Sequence, residues 1–231
     1  MLTAQPLFIA IAPGIALALI IYLTDWHDRE PLKLLIKLFA IGFIAVMPTA
    51  IIEQGLLMLN PFTGILAIAF IAFLVAGFTE ELVKRHLVIR YALNRVEFDE
   101  RLDGIIYAVF VALGFATAEN INYVVFAFAS NPYVGIYRGL ISVPAHMLFA
   151  ITMGYYISLS KFSIEPGLKS AYLRKALIVP FLLHGIFDFI LMAQMDIILL
   201  AFVPFTIYLW VTSMKKLNAY YRDSKNNHPH H

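Results

Sequence analysis

Seven ionisable side chains fall inside long apolar stretches of this 231-residue sequence: Glu53, Glu80, Glu81, Glu119, Asp188, His146 and His184. Such groups are expensive within a membrane-spanning helix and mark function there more often than accident. On a helix Glu80 faces Lys84 and Glu81 faces Arg85, each at i,i+4 with the acid N-terminal. Taken alone, these are two ion pairs reaching out at a helix end. Adjacent residues point about 100° apart, so one glutamate can face a site while the other holds a cation. Glu119 has no cation at i±3 or i±4, so its partner must come from another helix, a metal, water or its own proton. Asn122 follows one turn on, and Ala112, Gly114, Ala116 and Ala118 leave room for a neighbouring backbone. His184 and Asp188 share one helix face, where a carboxylate orients an imidazole or both face one ion. His146, two residues after Pro144, is by itself an ordinary core histidine. Glu53, near the outer end of its span, reads as structural, and His86 as an interfacial side chain.

These residue types restrict the chemistry. There is no cysteine, no GxSxG elbow and no HExxH zinc motif. Glu, His and Asp on four spans suit activation of water by a carboxylate base, with or without a metal. Peptide hydrolysis needs that water, a polarised carbonyl and an acid for the departing amine. Zinc held by two histidines and a carboxylate would activate water equally well. His146, His184 and either Glu119 or Asp188 are the candidate ligands.

The elements that must position these groups are membrane helices. The sequence is 61% hydrophobic and 14% charged, where soluble domains carry about 25% charged residues. Mean hydropathy is +0.80. This excludes a secreted domain, a nucleic-acid binder and a disordered chain. Seven stretches are long and apolar enough to cross a bilayer: 6–24, 34–54, 63–84, 104–129, 138–160, 176–195 and 197–214. The first lacks the basic residues of a signal peptide and reads as a retained helix. All but Arg138 of the 17 Lys and Arg residues fall on one side, which places the C-terminus in the cytoplasm and the N-terminus outside. Trp26, Tyr137 and Trp210 fit interfacial anchors. The tight turn at Met195-Asp196 divides the last two spans, the alternative being one re-entrant element. The fold class is therefore all-α, a bundle of about seven transmembrane helices in a multi-pass protein of a bacterial inner or plasma membrane. Residues 1–220 form one domain. Residues 221–231 are a polar tail whose histidines are a tag remnant or a native end.

The sequence is similar to the PrsW family of bacterial intramembrane proteases. The resemblance is carried in order by Asp25-Trp26-His27-Asp28-Arg29-Glu30-Pro31, Glu80-Glu81-x-x-Lys84, Asp103-Gly104-Ile105-Ile106-Tyr107, Gly114-Phe115-Ala116-Thr117-Ala118-Glu119-Asn120, Pro144-Ala145-His146 and His184-Gly185-Ile186-Phe187-Asp188. More distantly it resembles the CAAX-protease and bacteriocin-processing group. Glu80, Glu81 and Arg85 reproduce that group's EExxxR, Asp188 stands where its HxxxN has Asn, and Phe115-x-x-x-Glu119 replaces its FxxxH. The PrsW resemblance implies a membrane-embedded endopeptidase acting on single-span membrane proteins, including a first extracytoplasmic cut in an anti-sigma factor that starts a signalling cascade. It also implies that Glu80, Glu81 and His184 are essential.

The expectation is thus an intramembrane protease in which Glu80 or Glu81 activates water. His184, oriented by Asp188, and His146 stabilise the oxyanion or hold a metal, zinc being the candidate cofactor, and Glu119 is a ligand or second acid. Asp25, Asp28, Arg29, Glu30 and Asp103 shape the cytoplasmic face. The competing class is a proton- or cation-coupled transporter using the same buried Glu and His residues. A rise of ~1.5 Å per residue puts His146 and His184 near mid-bilayer, Glu119 further out and the paired glutamates closer to the cytoplasm. One site then forms only if the third helix is longer, tilted or shifted.

Overall fold

The computed structural model describes residues 4–25, 28–127 and 131–227. Trp26 and the tail histidines lie outside the described residues. Seven long helices are found among them: α1 (Pro6–Thr24), α2 (Leu32–Met58), α3 (Gly64–Tyr91), α4 (Arg101–Ala127), α5 (Tyr133–Lys161), α6 (Pro166–Ala193) and α7 (Asp196–Asn226). Apolar runs of this length form helices because a bilayer offers no water to backbone N–H and C=O groups, which must pair within the segment.

Several helices run past their apolar stretch. α3 continues to Tyr91, α6 begins at Pro166 and α7 extends beyond residue 220. The added turns carry Arg85 and Arg90, Lys169, Arg174 and Lys175, and Lys215, Lys216 and Arg222. Charge at the interface ends the hydropathy signal but not the helix, because long basic side chains reach water from a helical backbone. At 28 residues, α3 is roughly 42 Å long. α6 ends at Gln194 in the left-handed conformation, φ 49°, a common helix stop. A short turn, Asp196–Leu199, then leads into Phe202–Asn227. The last two spans are separate helices.

α4 lies at the centre. Every residue from Leu102 to Thr117 is buried, as expected of a helix apolar all round. It packs on α5, α2 and α1, while α5 packs on α6, and α6 on α3. A Cβ on Gly114 would collide with the backbone carbonyl of Phe39 on α2, so that crossing requires glycine. α7 docks chiefly along α5. Tyr220 stacks on Tyr155 at 4.9 Å, and Ser213 Oγ donates to Leu148 O at 3.1 Å.

One end of the bundle is tied by polar contacts. Tyr107 donates its hydroxyl to Glu30, and Glu30 N–H donates to Asp25 Oδ2 at 3.1 Å. Lys161 Nζ donates to Leu93 O at 2.8 Å, and Arg101 pairs with Asp223 at 3.5 Å. Asp25, Glu30 and Asp103 are buried here. Burial pushes the Asp25 carboxyl up to about 6 and Glu30 up to about 7.

Candidate active site

Four helices deliver six acids and histidines to one interior network, and on three of them the delivery is marked by a π-helical turn. On α3 the wide turn spans Phe70–Phe78, immediately before Glu80 and Glu81. On α4 it spans Asn122–Ala127, just after Glu119. On α5 it spans Arg138–Ser142, one turn before His146. Such turns re-aim the side chains beside them and concentrate at functional sites. Thr79 Oγ1 donates to Leu74 O at 3.2 Å, satisfying a carbonyl of the first. On α6, Gly185 admits the ring of Phe73, which a Cβ would strike. This lets α3 approach α6 beside His184.

Lys84 is the hub. Its ammonium lies 2.9 Å from Glu80 Oε2, 2.8 Å from Glu81 Oε1 and 2.9 Å from His146 Nδ1. An ammonium has three donors, and here all three are used. Its side chain is only 1% exposed, and it lies over the Phe115 ring, 4.5 Å from the centroid. The expected pairing of Glu81 with Arg85 does not form. Both glutamates converge on Lys84, and Arg85 Nε instead donates to Leu173 O of α6 at 3.0 Å.

The two histidines are held alike. His146 turns Nδ1 toward Lys84 and Nε2 toward Glu119 Oε2, at 3.1 Å. His184 turns Nδ1 toward Glu81 Oε1 at 3.0 Å and Nε2 toward Asp188 Oδ2 at 3.3 Å. Each ring thus offers one nitrogen to the cluster and the other to a carboxylate behind it, an arrangement that fixes ring orientation. The rings lie 5.2 Å apart, and Phe149 stacks on His184 at 5.0 Å.

Glu119 draws its second partner from Arg138 at 3.1 Å. Arg138 also donates through Nε to Asn120 Oδ1 at 3.2 Å and lies 3.9 Å over the Tyr123 ring. Asn120 is fully buried and Asn122 is exposed, so it is Asn120 that joins the network. A small cavity of about 30 Å³ opens among Glu119, Arg138, His146, His184 and Asp188, walled by Phe149 and Phe187. It is large enough to admit a water.

All six candidate residues therefore meet. The apparent difference in depth is resolved by the length of α3, which places Glu80 and Glu81 inside a 28-residue helix rather than at its end. His86 is exposed and takes no part. Reading the sequence missed three contributors. Lys84 appeared only as a partner of Glu80, Arg138 only as the lone cation on its side, and Glu53 only as structural. Glu53 on α2 lies within electrostatic reach of Glu80, Glu119, Lys84 and His184, and its buried Oε1 has no hydrogen-bond partner among the described residues. The isolation of Arg138 from every other basic residue was the one signal that could have found it.

The donor set suits a metal. Glu80, Glu81, His146 and His184 each offer a ligand atom, all within 4.8 Å of one another. Two carboxylates and two imidazoles are a set that zinc accepts. Glu81 Oε2 is buried without a hydrogen-bond partner among the described residues. Glu119 stands behind His146, orienting it, while the paired glutamates supply the carboxylates.

Comparison with known proteins decides the class. A family model described as PrsW family intramembrane metalloprotease matches residues 30–213. The chain belongs to the PrsW family. Protease PrsW of Clostridioides difficile (strain 630) is 44% identical over 203 residues, covering 87% of this chain and 85% of the relative. Protease PrsW of Bacillus subtilis (strain 168) is 37% identical over 206 residues, 89% of this chain and 91% of the relative. Protease PrsW of Geobacillus kaustophilus (strain HTA426) is 38% identical over 185 residues, 80% and 78%. No solved structure matches. As a member of the PrsW family the chain is a membrane-embedded protease and a multi-pass membrane protein.

Proposed function

We infer that this protease is an endopeptidase that cuts single-span, membrane-anchored proteins, such as an anti-sigma factor at its first extracytoplasmic cut, with water activated by a glutamate. The observation that carries this reading is the buried constellation of Glu80, Glu81, His146 and His184, with ligand atoms within 4.8 Å of one another. The charge asymmetry of the sequence supports an outside N-terminus and a cytoplasmic C-terminus.

Zinc would be held by Glu80, His146 and His184, leaving Glu81 as the base, and when bound would polarise a carbonyl and acidify water. The chain's own residues do the rest. Glu81, whose Oε2 has no hydrogen-bond partner among the described residues, takes a proton from water as the water oxygen attacks the scissile carbonyl carbon. The same proton passes to the amide nitrogen, the C–N bond breaks, and a carboxylic acid and an amine leave. His184, steadied by Asp188, and His146, steadied by Glu119, face the developing oxyanion or hold the metal. Arg138 holds the Glu119 carboxylate in place. Phe149 and Phe187 give the cavity its apolar wall.

The test is cleavage of a single-span substrate in proteoliposomes. Wild type is expected to release one defined pair of products. Glu81→Gln, folded but unable to accept the proton, is expected to release none. Equal cleavage by both would overturn the reading.

A further inference from the structure

We propose that the Lys84 ammonium and a zinc ion are alternative occupants of one position, and that Lys84 moves to Glu53 when the metal is loaded. The proposal rests on the donor set assigned above. Two of the three zinc ligands, Glu80 and His146, already give an oxygen or nitrogen to Lys84 Nζ at 2.9 Å. Those lone pairs cannot serve an ammonium and a metal at once. Two cations among the same donors would also repel strongly in so dry a setting. Metal binding therefore requires Lys84 to leave.

Lys84 has somewhere to go. Its four-carbon stem is flexible, and an ammonium presents a point charge that needs no fixed fork of acceptors. Glu53, on the neighbouring helix α2, lies within electrostatic reach of Lys84 and carries a buried oxygen without a hydrogen-bond partner among the described residues. A buried carboxylate oxygen left unmatched is costly, and a displaced ammonium would satisfy it. Glu53 is then neither ligand nor base but the receiving partner that makes displacement affordable. Loading becomes an exchange of one cation for another, which keeps the glutamates neutralised before the metal arrives. The arrangement also explains why a lysine sits at the heart of a metal-type donor set.

The experiment is a zinc titration of the full chain in detergent micelles, stripped of metal, with His228, His230 and His231 replaced by asparagine so that the tail cannot bind. Lys84→Met removes the competitor and is expected to raise zinc affinity by about tenfold or more, in the range of ordinary site-to-site couplings. Glu53→Gln removes the receiving partner and is expected to lower affinity in the wild-type background. In the Lys84→Met background Glu53→Gln is expected to have little effect, because no ammonium remains to be received. Lys84→Gln provides a second charge-free variant should Lys84→Met fail to fold, as judged by thermal unfolding. Zinc affinity unchanged or lowered in a folded Lys84 variant would overturn the competition while leaving the donor set intact. Equal effects of Glu53→Gln in both backgrounds would overturn the role of Glu53. Absence of zinc binding in wild type and variants alike would overturn the proposal together with the donor set, whereas the cleavage assay tests the protease reading separately.

Discussion

Glu119 and His146 meet at 3.1 Å through Oε2 and Nε2, although they lie 27 residues apart on different helices. That contact fixes which face of the imidazole is free. With Nε2 held by Glu119, Nδ1 turns to Lys84 and Glu80. Asp188 does the same for His184 from one turn along its own helix. The pair of carboxylate-backed imidazoles is what converts scattered intramembrane acids into a site with a defined inner face.

Removing either backing carboxylate should therefore weaken catalysis without abolishing it. Glu119→Gln and Asp188→Asn are each expected to lower cleavage about 10- to 100-fold, the usual cost of losing an orienting partner. Truncating the ring itself, in His184→Ala, is expected to cost more. Initial rates of substrate cleavage in proteoliposomes check the ranking. A loss in Asp188→Asn as deep as in His184→Ala would mean that Asp188 contacts the reacting atoms.

The crossing of α2 and α4 depends on the absence of a side chain at Gly114. A Cβ there meets the backbone carbonyl of Phe39, which cannot rotate away as a side chain can. Gly114→Val is expected to destabilise the fold by about 1–3 kcal/mol or more, the cost of overpacking a tight contact. A lowered thermal unfolding midpoint in detergent is the readout. An unchanged midpoint would show that the two helices separate easily.

The polar end of the bundle should respond to pH. Burial holds Asp25 at about 6 and Glu30 at about 7 in the folded chain, above the ordinary carboxyl range of roughly 4. The folded state therefore binds these protons more tightly than the unfolded state. Their contribution to stability is full below about pH 4 and is lost as pH rises through 6 to 7. Thermal unfolding midpoints are expected to fall between pH 5 and pH 8, and to fall less in Asp25→Asn and Glu30→Gln. A midpoint that rises over this interval would contradict the assignment.

What was legible in the sequence follows from how local each feature is. The seven spans declare themselves because lipid demands long apolar helices. The His184–Asp188 pair was legible because i,i+4 geometry on one helix fixes it. The convergence of both glutamates on Lys84 was not. Spacing alone allows Glu81 to choose Arg85 at i,i+4 or Lys84 at i,i+3, and only packing against His146 and His184 decides. The helix ends were hidden by their own lysines and arginines. Glu53 and Arg138 take their meaning from neighbours on other helices, which no local pattern encodes.

The central claim is that Glu80 and Glu81, gathered with His146 and His184, cut a peptide bond inside the membrane. Its most direct test is mass analysis of the products of a single-span substrate in proteoliposomes with wild type, Glu80→Gln and Glu81→Gln, each shown to be folded by thermal unfolding. The account predicts one defined cut by wild type and a loss of about a hundredfold or more in Glu81→Gln, the scale of a missing general base, with Glu80→Gln also impaired. Wild-type rates in both folded variants would contradict it.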